Sequence, residues 1–271
     1  MTSDRPITLR MNKSMAIKLA VAGKGGVGKT TLCAALARAL SRRGERVLAV
    51  DADPNNCLGR ALGFPDSMLD SVTPLSEMKD ELTALAGTAE GGSFFALNPP
   101  VEALLERYQL QHDGITLLVM GTVDEPGAGC VCPESAVLKA LVRYLAGLEE
   151  LALVMDMEAG LEHLGRGTAL YIGALLIVTE PTAVSARTAA RVARLARGLG
   201  LTVPGAVLNK AVSADAEERV RSYLEDISIL ASLPYDAAVA DSEAVPKTGA
   251  YVDAVDDLLS RLGSLSRAGV R

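Results

Sequence analysis

The stretch Gly23-Lys24-Gly25-Gly26-Val27-Gly28-Lys29-Thr30-Thr31 has the residue types and spacing that binding a phosphate chain requires. It contains G-x-x-x-x-G-K-[ST], in which backbone N–H groups curl around an anion, Lys29 neutralises phosphate charge and the Thr30 hydroxyl ligates Mg²⁺. Gly25, Gly26, Val27, Gly28 and Thr31 complete the cradle for the nucleotide. Its flanks agree: Ala16–Ala22 reads as a buried strand entering the loop, and Thr31–Leu40 as an apolar-striped helix leaving it. Lys24 comes too early to be the lysine of that pattern, so the loop carries one cation more than phosphate binding demands.

Carboxylates follow at two further strand ends. Asp51-Ala52-Asp53-Pro54-Asn55 closes one apolar run. A carboxylate placed there can orient an attacking water or hold a Mg²⁺-bound water, and the same residues also suit a turn. Asp156-Met157-Glu158-Ala159-Gly160 closes another. Here Asp156 is the expected ligand of a Mg²⁺-bound water, and the Gly160 amide the group that bonds the γ-phosphate and swings when it leaves. Leu208-Asn209-Lys210 ends a later run, and Leu233-Pro234-Tyr235-Asp236 follows the last one. The Asn209 amide offers a two-point contact to N6 and N7 of adenine.

Cys130 and Cys132 stand one residue apart in a glycine-rich loop before the helix Glu134–Ala146. A helix N-terminus favours thiolate, and two thiolates can hold a soft metal such as nickel or zinc; a redox pair or two incidental cysteines are the other readings. Two ligands are half of a tetrahedral site, and the two-fold axis of a dimer would supply the rest. Cys33 and Cys57 read as small packing residues.

These residues need a scaffold. Apolar runs recur at Ile17–Ala22, Arg46–Val50, Ile115–Met120, Leu151–Met155, Ala174–Val178, Val203–Leu208 and Ile227–Ala231, mostly with helical patterns between them. The alternation predicts an α/β fold: a mainly parallel sheet with helices on both faces, of the phosphate-loop NTPase kind. Ligands of such sheets bind beyond the carboxyl ends of the strands, where every motif named here falls. Ser67–Gly92 reads as a polar helical excursion. The last helix, Val252–Leu265, sets Val252, Val255, Leu258, Leu259, Leu262 and Leu265 on one stripe, opposite Asp253, Asp256 and Asp257. An acidic polar face favours packing over membrane attachment.

With 271 residues and 49% hydrophobic content, the chain can bury a large core. We expect residues 1–14 to be a flexible tail and residues 15–271 a single ATPase domain. A net charge of −6 provides no basic footprint for nucleic acid. The polar start has no apolar leader, and no run of about 18 apolar residues follows, so a cytoplasmic protein with no membrane partner is expected. Four cysteines in such a chain suit thiols or metal ligands better than a disulfide framework.

The loop K-G-G-x-G-K-T-[ST] resembles the deviant Walker A loop of the dimeric ATPases that include nitrogenase iron protein and the MinD and ParA ATPases of division sites and chromosome partition. The resemblance implies that Lys24 reaches the partner's ATP across a homodimer, that Asp53 positions the water while Asp51 has a Mg²⁺-shell or structural role, and that Asn209 and the Pro234 backbone read adenine. Adding Cys130-x-Cys132 and the run Asp156-Met157-Glu158-Ala159-Gly160-Leu161-Glu162-His163, the chain resembles the CooC-type ATPases that mature nickel-containing carbon monoxide dehydrogenase. That implies ATP and Mg²⁺ as ligands, a homodimer promoted by ATP and metal, and the apo-dehydrogenase as the recipient of nickel. An iron-protein-like [4Fe–4S] reductase and a chromosome or cell-pole positioning ATPase are the alternatives. The first draws its cluster ligands from separate loops, and the second needs a basic surface or a membrane tail.

Overall fold

The computed structural model describes residues 16–86, 101–121, 133–158 and 172–268. Eight strands form one sheet: β1 Lys18–Gly23, β2 Val47–Ala52, β3 Leu110–His112, β4 Ile115–Val119, β5 Ala152–Met157, β6 Ala174–Thr179, β7 Ala206–Ala211 and β8 Ile229–Pro234. Their spatial order is β3-β4-β2-β5-β1-β6-β7-β8. Every pairing is parallel except β3 with β4. The expected α/β architecture is therefore the one observed.

Alternation along the strands divides the core in two. Leu19 and Val21 of β1 face one side, with Leu32 and Leu36 of the helix Lys29–Arg42 and Val255 and Leu258 of the helix Ala250–Ala268. Ala20 and Ala22 face the other, with Leu141 of the helix Pro133–Gly147 and Ala189 of the helix Ala183–Gly198. Alanines are frequent on the buried faces of the helices Lys29–Arg42 and Ala183–Gly198, and leucine and valine fill those of Pro133–Gly147 and Ala250–Ala268. The C-terminal helix buries Val252, Val255, Leu258, Leu259 and Leu262, while Asp256 pairs with Arg42 at 2.8 Å. Among the described residues, no helix is long and apolar enough to cross a membrane.

Two expectations need correction. The seven apolar runs omit β3, which returns against β4 through Asp113-Gly114, with φ of 46° and 75°. Positive φ at both central residues is what a two-residue hairpin requires, and Asp-Gly is its sequence signal. The last two strands also begin later than the apolar runs do. Pro204 has no N–H to give to a ladder. A Cβ on Gly205 would lie 2.5 Å from the Ser228 carbonyl, so pairing starts at Ala206, whose N–H donates to that carbonyl at 2.8 Å. The same two strands also run past the apolar residues, so Asn209, Lys210 and Pro234 lie inside strands, not beyond them.

Candidate functional site

The phosphate loop joins β1 to the helix Lys29–Arg42. Gly28 is the N-cap residue at φ 95°, with no side-chain cap and no acidic residue in the first turn. The first N–H groups of that helix thus have no side-chain acceptor, and together with the helix dipole they make an anion site. Lys29 is buried behind the loop at 7% exposure, whereas Lys24, Gly25 and Gly26 are exposed.

β7 holds the loop from one side. Nδ2 of Asn209 donates to the Val27 carbonyl at 2.8 Å. Contact is so close that a Cβ on Gly28 would sit 2.3 Å from this nitrogen, so no side chain fits at position 28. Asn209 is buried, and its Oδ1 has no hydrogen-bond partner. Of the two amide atoms expected to meet adenine, Nδ2 is engaged with the loop and Oδ1 is buried without a partner. Lys210 donates to the Gly26 carbonyl at 2.7 Å and to Glu180 at 2.6 Å, a role the sequence reading did not give it. Pro234 ends β8 as the register partner of Ala211.

The acids lie on the other side. Asp51 of β2 and Asp156 of β5 are register partners on adjacent strands, and both are fully buried. Asp51 accepts the N–H of Leu58 at 2.8 Å and of Asp53 at 3.3 Å, so its carboxylate organises the turn that follows β2. Asp53, half-buried, accepts the Asn55 backbone N–H at 3.0 Å on Oδ1, while its Oδ2 makes no hydrogen bond among the described residues. Both oxygens of Asp156 are buried without a hydrogen-bond partner. Burial raises the Asp51 carboxyl to about 7, against the pull of the Leu58 N–H. It raises Asp156 to about 6, opposed by the neighbouring Thr30 hydroxyl and the Lys29 ammonium. An orphaned carboxylate beside the threonine of the loop fits a hydrated Mg²⁺, which would satisfy oxygens that nothing else reaches.

Cys33 is fully buried, and burial, followed by the charges of Asp156 and Asp51, pushes its thiol well up, so it packs as expected. Cys57 does not. It is exposed on the solvent side of the turn held by Asp51, its thiol 3.4 Å from the Asn55 carbonyl. Cys130, Cys132, Gly160, Glu162 and His163 lie outside the described residues. Among the described residues, no three or more His, Cys, Asp or Glu side chains gather as a metal site.

Residues 18–248 match the CobQ/CobB/MinD/ParA nucleotide binding domain. The carbon monoxide dehydrogenase accessory protein CooC of Rhodospirillum rubrum is 42% identical over 224 residues, covering 82% of this chain and 85% of CooC. An ATP-binding protein of Methanocaldococcus jannaschii is 39% identical over 236 residues, 85% of this chain and 90% of that one. Among solved structures, the septum site-determining protein MinD of Pyrococcus horikoshii, complexed with Mg-ADP, superposes with a TM-score of 0.64 at 22% identity, covering 94% of this chain and 98% of MinD. Cobyrinic acid a,c-diamide synthase of Mycobacterium smegmatis, with bound ADP and magnesium, gives 0.61 at 20% identity, covering 94% and 97%.

Proposed function

This chain belongs to the CobQ/CobB/MinD/ParA nucleotide-binding family, and from that membership we propose that it is an ATP hydrolase that dimerises around two ATP molecules and delivers nickel to apo carbon monoxide dehydrogenase. The observation that carries the ATPase half is Asp156, a buried carboxylate with two orphaned oxygens behind the uncapped helix of the phosphate loop.

In this reading the loop amides and Lys29 grip the phosphate chain. Thr30 and Asp156 would hold Mg²⁺, directly and through a water, and the ion when bound would supply charge neutralisation on the phosphates. Asp53, half-exposed at the end of β2, orients the attacking water and takes its proton through the free Oδ2. Lys24 projects from the exposed part of the loop toward the second copy's nucleotide. Gly160 follows the γ-phosphate, and Asn209 with the Pro234 backbone receives adenine. The nickel half rests on Cys130 and Cys132, two thiolates from each copy around the two-fold axis, and on the 42% identity to a protein named as a carbon monoxide dehydrogenase accessory protein. Nickel is cargo here, handed on when the nucleotide state changes.

Equilibrium dialysis with Ni²⁺ and ATP tests the shared site. One nickel per dimer is expected, lost in Cys130→Ser and in Cys132→Ser while ATP still binds. One nickel per monomer, or full retention by the double variant, overturns it.

A further inference from the structure

Consecutive side chains of a strand point to opposite faces. Asn209 and Lys210 nevertheless both reach the phosphate loop, one to the Val27 carbonyl at 2.8 Å and the other to the Gly26 carbonyl at 2.7 Å. The backbone explains how. Lys210 has φ 56°, in the left-handed region, and the β7–β8 register is irregular between Leu208 and Ala211. A lysine in that conformation is strained and persists only where its surroundings hold it. Here they do: Nζ also meets Glu180 Oε1 at 2.6 Å. Glu180 is fixed in turn, its N–H donating to the buried Ser185 hydroxyl at 3.0 Å.

We propose that Lys210, oriented by Glu180, is a positioning residue that pins the phosphate loop in its anion-binding form before nucleotide arrives. The inference rests on the reading of this loop as the ATP site and deepens it. In a trans peptide the carbonyl and the next N–H point in opposite directions. Pinning the Val27 carbonyl to Asn209 therefore turns the Gly28 N–H away from β7. Pinning the Gly26 carbonyl to Lys210 turns the Val27 N–H back into the loop, toward the Lys24 carbonyl at 3.4 Å. Two neighbouring peptide planes are set by two neighbouring side chains. Gly25 and Gly26 have open space where a Cβ would be, so no side-chain packing at these two positions restrains the loop. A glycine-rich loop left free would have to be ordered by the ligand, and affinity would fall by the cost of that ordering. The half-exposed ion pair contributes little by itself; its effect is to aim the ammonium.

The test is calorimetric titration of MgATP together with amide exchange across residues 24–30 of the nucleotide-free protein. Lys210→Met should weaken MgATP binding by roughly tenfold, the scale of one charged hydrogen bond, and speed exchange of the loop amides. Lys210→Arg, which keeps a donor, should recover most of that loss. Glu180→Gln should weaken binding by about threefold, because the Gly26 contact survives without its guide. The discriminating variant is Lys210→Gly. It relieves the left-handed backbone, so it should melt no lower than the parent and still bind MgATP as weakly as Lys210→Met. If Lys210 served only the fold, the glycine variant would bind like the parent, and that outcome overturns the proposal. Parental affinity and parental exchange in Lys210→Met overturn it as well. If the parent bound no MgATP, the nucleotide reading would fall instead, and the exchange rates would still decide whether Lys210 pins the loop.

Discussion

On the β7 side of the phosphate loop the polar groups are paired in advance: Asn209 with Val27, Lys210 with Gly26 and Glu180. On the β2–β5 side the Asp156 oxygens are buried with no well-formed hydrogen bond among the described residues, only the Thr30 hydroxyl and the Cys33 thiol nearby, and a second buried carboxylate is the register partner on β2. Both sets flank one loop, yet the β7 set spends its hydrogen bonds on the loop while Asp156, beside Thr30 and Lys29, holds charge in reserve. The contrast separates two tasks. Shape must be set before the ligand arrives, and donors paired with carbonyls set it. Charge must be answered by the ligand itself, so Asp156, the carboxylate that would answer a cation, is left without a hydrogen-bond partner at the cost of burying it, while Asp51 holds the turn after β2.

The contrast is broken or sharpened first by turnover. Asp53→Asn and Asp156→Asn should each lower ATP hydrolysis by about 10²-fold or more, since they remove charge at the reacting end. Asn209→Ala should weaken ATP binding by only several-fold and leave saturated turnover within the same range, because it removes one of two pins. Steady-state ATPase assays with a kcat and KM split decide it. Equal losses in kcat on both sides would erase the distinction between shape and charge.

A smaller effect should appear in stability against pH. The Asp51 and Asp156 carboxyls sit at about 7 and about 6, above the ordinary value of 3.8. Between roughly pH 4 and 7 the folded chain binds more protons than the unfolded chain, so the stability of the nucleotide-free protein falls as pH rises through that window and levels off above it. MgATP, which favours the ionised forms, should flatten the curve. Asp156→Asn should relieve about 3 kcal/mol of this penalty at pH 8, raising the nucleotide-free melting temperature by roughly 6–12 °C. Thermal denaturation of parent and variant at pH 5 and pH 8 checks the sign. A variant that melts lower at pH 8 would mean that Asp156 is already paired in the folded protein.

Much of this was legible in the sequence because its causes are local. The phosphate loop, the strand before it and the helix after it depend on adjacent residues alone, and the aspartates at two strand ends follow from where apolar runs stop. The Asp113-Gly114 hairpin was equally local and went unread, because the β3 arm spans only Leu110–His112 and shows too few residues for a period. Lys210 was legible only as a name beside Asn209. Its reach to Gly26 depends on a left-handed backbone at Lys210 and a register shift against β8, and neither is announced by the residues beside it. Cys57 was misread for a similar reason. Its exposure is set by the turn that Asp51 holds from inside the sheet, not by the residues beside it.

The smallest predicted effect separates a buried polar atom that waits for a ligand from one that does not. Tyr251, in the C-terminal helix, is 2% exposed, and its hydroxyl, like the Asp156 oxygens, has no hydrogen-bond partner. Burial, with the neighbouring Cys33 adding to it, pushes its phenol upward. Its surroundings differ from those of Asp156 in one respect: it lies within the aliphatic core beneath the helix Lys29–Arg42, not at the carboxyl ends of the strands. There it is a large side chain whose ring packs and whose hydroxyl is a liability. Tyr251→Phe removes only the oxygen, so stability should stay level or rise by up to about 1 kcal/mol, with ATP affinity and turnover unchanged. Denaturant unfolding beside an ATPase assay measures both. A loss of stability, or a fall in turnover, would show that the hydroxyl communicates with the Cys33–Asp156 side of the site and belongs with the groups held in reserve.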